Sequence, residues 1–380
     1  MSDEVQLARE LLRAPSPSGH EGPAAEVLHR ALSQLGYEAH VDAVGNVVGT
    51  LRLGDGPSLM LNGHLDTVPV GDEALWPHPP LSGVVADGRL WGRGACDMKA
   101  ALACMAFAGR DARDAGFHGT LIVSGVVQEE VGGLGARALA AREAHVDLVL
   151  LGEPSRLRLM LGHRGRVELT VQLPGRMAHA ARADLGQNAL YRAAAFLRRL
   201  EALELPRGGP LGGSSLTPTG LSSFPPEGKN VVPGRADLTI DYRNLPDDEP
   251  EQIRARLQGL DPEARITVAS VVAPYLAPRD HPLVDRVSEA LRPVLERAGR
   301  SRFRVSRAPL RTPGEAPPLR ALEQGHWWFC TDAPELAAMA DVVLGFGPGE
   351  EELAHTTREC VTLEELHLAR LGYAAVALGL

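Results

Sequence analysis

The chain reads as an α/β protein, a sheet covered by helices on both faces and interrupted by a smaller α+β insert. Three observations predict this. Buried-type apolar runs alternate with amphipathic helical stretches up to about Pro154, the pattern of strand–helix units in an α/β sheet. Beyond about Gly165, apolar residues alternate singly, as in "RVELTVQLPG" and "ADLTIDYR", which suits strands with one buried face. From Pro282 a helix and further strands resume and run to a last helix, Leu363 to Leu378. A chain of 380 residues is too long for one small core, so a large domain with a smaller one is in keeping. The expected division is 1–165 with 278–380 for a discontinuous main domain, and 166–277 for the insert.

Taken in order, Val5 to Leu12 and Ala24 to Leu35 carry helical periodicity, with the Pro/Gly/Ser loop "PSPSGHEG" between them. Val47 to Leu53 and Ser58 to Leu61 read as strands, and Gly54-Asp55-Gly56-Pro57 between them reads as a hairpin turn. Asp97 to Ala115 reads as a helix, "GTLIVSGVVQEE" as a buried strand, "VGGLGARALAA" as a helix and "VDLVLLGEP" as another buried strand. In the insert a strand, a helix from about Gly186 to Leu203, the strand "ADLTIDYR", a helix from Pro250 to Gly259 and the strand "ARITVASVV" give a β-α-β-α-β order. The Pro/Gly stretches at 206–228 and 308–318 read as surface loops.

The totals exclude some functions. A formal net charge of −9 gives no electrostatic reason to expect a nucleic-acid or anionic-membrane partner. The start Met1-Ser2-Asp3-Glu4 has no basic segment leading into an apolar one, which reads against a signal peptide. The longest apolar run, around Ala100 to Gly109, is far short of the roughly 20 residues that span a bilayer. Cys96, Cys104, Cys330 and Cys360 are scattered without a CxxC pair, as in a reduced, cytoplasmic protein.

Several chemically capable residues fall just past apolar strands. "SLMLNGHLD" delivers His64 and Asp66 as the chain leaves the sheet, Glu129 and Glu130 follow one buried run, and Glu153 follows another. Asp97 sits where a helix begins, and His355 lies in a Gly-rich loop near the C-terminus. Each has an ordinary reading on its own: a hydrogen-bonding pair for His64 and Asp66, an N-cap for Asp97, a solvated strand end for the adjacent glutamates, a loop histidine for His355. Together they form a His/Asp/Glu set at one sheet edge, where ligands of α/β proteins gather. That mixture suits zinc or another borderline divalent ion, with cobalt and manganese as alternatives, better than calcium. About five side chains for two ions leave room for water, as in hydrolytic two-metal centres, and a spare acid beside a ligand is the candidate general base. A nucleotide site at Gly132 to Gly135 lacks the GxGxxG spacing.

The motifs "GHLDTVP", "GRGACDMKAA", "QEEVGG", "GEPS" and "GPGEEELAHTTRE" occur in this order, and their sequence and spacing resemble the zinc aminoacylase and exopeptidase family, which includes acetylornithine deacetylase, succinyl-diaminopimelate desuccinylase, aminoacylase-1 and metallo-carboxypeptidases. The resemblance implies a zinc-exopeptidase-like catalytic domain, a mixed sheet flanked by helices, with an inserted lid and dimerisation domain. It implies His64 and Glu153 as ligands of one metal, Glu130 and His355 of the other, Asp97 as the bridge, and Glu129 as general base. Asp66 then orients His64, a role its spacing also allows.

The insert matches as well. "RMAHAARADLGQNA" resembles the family segment whose histidine, here His179, reaches the partner subunit's active site, and "GKNVVPGRADLTIDYR" resembles the one that brings Asn230 and Arg243 to the substrate. Without the family, His179 reads as a loop residue and Arg243 as a surface ion pair. One departure concerns the pocket: where the family has a Gly-Thr-Ser-Asp-like segment, this chain has "WWFCTDAPE", which keeps Thr331 and Asp332 but adds the bulk of Trp327 and Trp328. The implied activity is hydrolysis of an N-acyl amino acid, or of a dipeptide or C-terminal peptide bond at the same kind of centre, by a cytoplasmic homodimer acting on small molecules.

Overall fold

A computed structural model describes residues 2–142, 144–297 and 324–380; the Pro/Gly stretch expected at 308–318 lies outside them. The described residues fall into two compact units. One is drawn from within Met1–Gly162, Ala277–Gly325 and Thr331–Leu380, the other from within His163–Leu276 and His326–Cys330.

In the first unit the apolar runs form the parallel centre of a mixed sheet. Thr120–Val126, Ser58–His64, Val146–Leu151 and Ala340–Gly345 lie side by side in that order, each parallel to the next. Outside them, Val47–Arg52 runs antiparallel to Thr120–Val126 and pairs with Glu38–Val41, and at the other side Leu159–His163 meets Ala340–Gly345 antiparallel. The central strands are buried almost throughout, which explains their largely apolar sequence. Their parallel course also brings their carboxyl ends to one edge, with His64 opposite Val126 and both Asn62 and Gly345 opposite Leu151.

The expected hairpin between Val47–Arg52 and Ser58–His64 does not form. Thr120–Val126 lies between the two strands, antiparallel to one and parallel to the other. The Gly54-Asp55-Gly56-Pro57 turn therefore steps over a strand that arrives much later in the chain, and Gly56 abuts the backbone of His118 that leads into it.

The helix Lys99–Asp114 packs on Ser58–His64 and Thr120–Val126, and against Asp3–Arg13 and Leu363–Gly379. It is buried on nearly every side, so its many alanines allow helices and sheet to approach. A Cβ on Gly63 would lie 2.3 Å from the Met98 Cε, and one on Gly152 would lie 2.2 Å from the Met105 Cε. These two glycines let the start of the helix come down onto the strand ends.

The second unit is an antiparallel sheet in the order Ser215–Phe224, Arg235–Arg243, Arg166–Pro174, Arg265–Val272. Burial alternates along Arg166–Pro174 and Arg235–Arg243, and the helices Ala189–Glu201 and Pro250–Leu260 cover the apolar face. Leu169, Val171, Phe196, Ile240 and Ile253 are buried in that core, each contributing about 1.5–3 kcal/mol. The stretch 206–228 contains the strand Ser215–Phe224, where the sequence suggests only loop. Pro218 and Gly220 read as breakers, but this strand lies at the sheet edge, where proline is tolerated, and the register shifts between those two residues.

All four cysteines are free thiols. No helix among the described residues is long and apolar enough to cross a membrane.

Candidate metal centre

His64 is the last residue of its strand and is buried. Its Nε2 lies 3.0 Å from Asp97 Oδ1 and 3.8 Å from Glu153 Oε1. Asp97 Oδ2 faces the other way, 3.2 Å from His355 Nε2, and the same nitrogen is 3.0 Å from Glu130 Oε1. One carboxylate thus stands between two imidazoles, each with a further carboxylate beside it. Donor atoms of His64, Asp97 and Glu130 lie within 4.8 Å of one another, and so do those of His64, Glu129 and Glu153. All six predicted residues at the strand ends and adjoining loops therefore meet in one cluster.

Asp97 is not a helix cap. The helix begins at Lys99 with Met98 at its N-cap position, and the Asp97 side chain turns to the imidazoles instead. His355 adopts a positive φ of 61° in a loop tied to the turn after Glu153: Ser155 Oγ accepts from the Gly347 N–H at 3.0 Å, and the Arg156 and Leu157 N–H groups donate to Gly349 and Gly347 carbonyls. One staple therefore positions Glu153 and the His355 loop together.

Asp66 is fully buried, and its contacts differ from the expected ones. His64 Nδ1 bonds the Asp66 backbone carbonyl at 2.9 Å, with the carboxylate 3.6 Å away. The carboxylate accepts instead from the backbone N–H groups of Glu129, at 3.1 Å, and Glu130, at 3.2 Å, and from the Ser18 hydroxyl at 2.7 Å. It fixes the turn that carries both glutamates. Glu21 holds the residue before them, accepting from the Gln128 N–H at 3.3 Å.

Burial would lower the His64 pKa, yet Asp97, Glu153 and Asp66 outweigh it and hold the imidazole well above its ordinary 6.5. Hydrogen bonds to Asp97 and Glu130 raise His355 to about 10. Burial opposes ionisation of Asp97, but the two imidazoles hold its pKa far below the usual range. Burial, reinforced by Asp332 and Glu153, pushes Glu129 well above 4.5, and burial likewise raises Glu153 against the pull of His64. Imidazole nitrogens and carboxylate oxygens converging in this way, without a thiolate among them, are the donor types of a divalent-cation site, and a cation there would keep all the carboxylates ionised.

In the second unit, Ala178–His179 pairs with Val231–Val232, and Ala180 N–H donates to the Asn230 carbonyl at 2.8 Å, so His179 and Asn230 are neighbours. Both are exposed. His179 Nδ1 accepts from the Ala181 N–H at 3.1 Å, which leaves the proton of a neutral ring on Nε2. Arg243 lies elsewhere. The ribbon joins the sheet beside Arg235, where Gly175 N–H bonds Gly234 O, while Arg243 ends that nine-residue strand, roughly 26 Å away along extended backbone. Its guanidinium donates to Asp241 through Nε at 2.7 Å and Nη2 at 3.2 Å.

Sequence reasoning missed Ser18, Glu21, Arg93 and Glu359. Glu359 is fully buried and accepts from the Cys96 and Asp97 N–H groups at 3.0 and 3.1 Å. Its position four residues after His355 in "HTTRE" was the available signal. Lys99, for which the sequence suggests only a local cap or a local pair, is buried and donates to Ala14 O and Ser16 Oγ, both at 2.7 Å; burial lowers its pKa to about 7.

Residues 60–378 match the family model described as Peptidase family M20/M25/M40. The chain is 32% identical over 329 residues to a succinyl-diaminopimelate desuccinylase of Paracoccus denitrificans, covering 78% of this chain and 85% of that protein. Among solved structures, the aminopeptidase PepT from Bacillus cereus superposes with a TM-score of 0.74 at 21% identity, covering 99% of this chain and 98% of that one. An M20 family metallo-carboxypeptidase from Sulfolobus solfataricus gives 0.75 at 16% identity, covering 99% of both. These two likenesses concern the fold.

Proposed function

Because the chain belongs to Peptidase family M20/M25/M40, and is thus a hydrolase of that family, we propose that it is a two-metal amidohydrolase releasing a free amino acid from an N-acyl amino acid. The observation that carries this reading is the division of Asp97 between His64 and His355, with Glu153 beside one imidazole and Glu130 beside the other. His64 and Glu153 would hold one divalent ion, Glu130 and His355 the second, and Asp97 would bridge them; zinc fits best, with cobalt or manganese as alternatives. Such ions supply Lewis acidity toward a carbonyl oxygen and acidify water.

The remaining work falls to side chains. Glu129, on the turn fixed by Asp66, takes a proton from the attacking water and passes it to the departing amine. His179 offers its Nε2 proton to the carbonyl oxygen as negative charge develops there. Arg243 grips the carboxylate of the substrate's amino acid, exchanging Asp241 for it; a planar guanidinium suits that task. Within one chain His179 and Arg243 lie at opposite ends of a strand, too far apart for one small substrate to touch both. A homodimer in which His179 and Asn230 of the partner subunit serve each centre resolves this, and it assigns the second unit a lid and dimerisation role.

The desuccinylase named among the relatives favours an acyl amino acid with an acidic acyl group. A panel of N-succinyl and N-acetyl amino acids, dipeptides and C-terminal peptide substrates, run with and without chelator, tests the reading. Chelator-sensitive turnover of the acyl amino acids supports it. Turnover confined to peptides replaces it with a dipeptidase or carboxypeptidase.

A further inference from the structure

The loop that carries Asp97 is held by a buried ion pair outside the set of metal-binding side chains. Strand Cys360–Thr362 pairs antiparallel with Arg89–Trp91, Cys360 opposite Trp91. That pairing sets Glu359 beside the chain leaving Trp91, where Gly92 N–H donates to the Glu359 carbonyl at 3.2 Å. Arg93, 3% exposed, then donates through Nη1 to Glu359 Oε2 at 2.5 Å. Glu359 Oε1 accepts from Cys96 N–H at 3.0 Å and Asp97 N–H at 3.1 Å. Arg93 also donates through Nη2 to Pro69 O at 3.3 Å and lies over the Trp76 ring at 5.1 Å.

This one pair therefore joins three segments: that after His64, through Pro69; that of Asp97, through two backbone N–H groups; and that of His355, through Glu359 itself. Placing a carboxylate and a guanidinium where water is excluded is costly, and a packed apolar pair would often serve stability as well. An apolar pair would offer no acceptor to the Asp97 amide. We infer that Arg93 and Glu359 are positioning residues for the bridging carboxylate. They hold the Asp97 backbone so that its two oxygens face the two imidazoles. The inference rests on the two-metal reading. Its specific consequence is that loosening the pair weakens both cation sites together, because both share Asp97, whereas loss of Glu153 or Glu130 removes a ligand from one.

The test is titration of the metal-free full-length protein with Zn²⁺, followed calorimetrically, and with Co²⁺, followed by visible absorption. Wild type is compared with Glu359→Gln and Glu359→Asp; circular dichroism checks the fold. Gln retains one acceptor oxygen but turns an amide N–H₂ toward Arg93. Asp keeps the charge but is one methylene too short to hold both N–H groups while paired with Arg93, so it reports on positioning should the Gln variant not fold. In a folded variant the affinity of both sites should fall about 10–100-fold, the Co²⁺ spectrum should change, and kcat should fall with KM little altered. Folded variants that bind two ions as wild type does, or that weaken one site only, would overturn the inference. A wild-type protein that binds fewer than two ions would overturn the two-metal reading itself, and this inference with it.

Discussion

Replacing Asp66 by Asn separates two accounts of how this centre is built. In the structure the carboxylate accepts from Glu129 N–H, Glu130 N–H and Ser18 Oγ, while His64 Nδ1 bonds the Asp66 main chain, which the substitution leaves in place. Asn offers one acceptor oxygen and turns its N–H₂ toward donors, so at least one backbone N–H loses its partner. A hydrogen bond to a charged group contributes about 1.5–3 kcal/mol, and a stranded buried donor costs about 1–3 kcal/mol. A loss of about 3 kcal/mol is therefore expected, which a protein with about 5–15 kcal/mol of stability survives. The damage concentrates on the Glu129–Glu130 turn. The ion at Glu130 and His355 should bind about 10–100-fold more weakly, and misplacing the base by about 1 Å should cost on the order of 10² in kcat. The assay is crystallographic anomalous occupancy at limiting Zn²⁺, paired with kcat at saturating metal and urea denaturation. Occupancy lost first at the His64 and Glu153 position would refute this reasoning and restore the simpler view that the carboxylate orients His64.

Glu129→Gln should retain two ions and lose about 10²–10⁴ in kcat; comparable turnover in metal-replete protein would remove Glu129 as the base. His179→Ala should lower kcat about 10²–10³-fold with metal content intact, and mixing it with Glu129→Ala chains should restore activity through hybrid dimers; failure to restore it would argue against action across subunits. In the second unit Arg192 holds the Asp261 carboxyl below its ordinary 3.8, through contacts of 2.5 Å to each oxygen. A depressed folded-state pKa stabilises above the unfolded value and ceases to do so as pH falls through the folded one. Asp261→Asn should therefore cost about 1.5–3 kcal/mol at pH 7 and progressively less below pH ~4; a gap in unfolding free energy that persisted undiminished to pH 2 would contradict this.

The parallel centre was legible because strands buried on both faces leave largely apolar runs, and residues just past such runs arrive at one edge. That logic brings His64, Glu129, Glu130 and Glu153 together from the order of residues alone. The hairpin failed because adjacency in sequence says nothing about a later strand entering between two earlier ones. The edge strand Ser215–Phe224 was hidden by Pro218 and Gly220, which an edge tolerates. Asp66 reads in the sequence as an imidazole partner because its spacing to His64 is visible, whereas its bonds to the amides of Glu129 and Glu130 depend on two loops meeting in space. Glu359 and Arg93 were missed for the same reason: they pair with each other across 266 residues of sequence and otherwise hold main-chain groups of Cys96, Asp97 and Pro69, which carry no side-chain signature.

The central claim is that two imidazoles and three carboxylates from separate segments grip two cations around Asp97. Anomalous diffraction from crystals of the protein grown with Zn²⁺ tests it most directly. The account predicts two peaks per chain, both touching Asp97, one between His64 and Glu153 and the other between Glu130 and His355. A single peak, or two peaks that do not share Asp97, would contradict it.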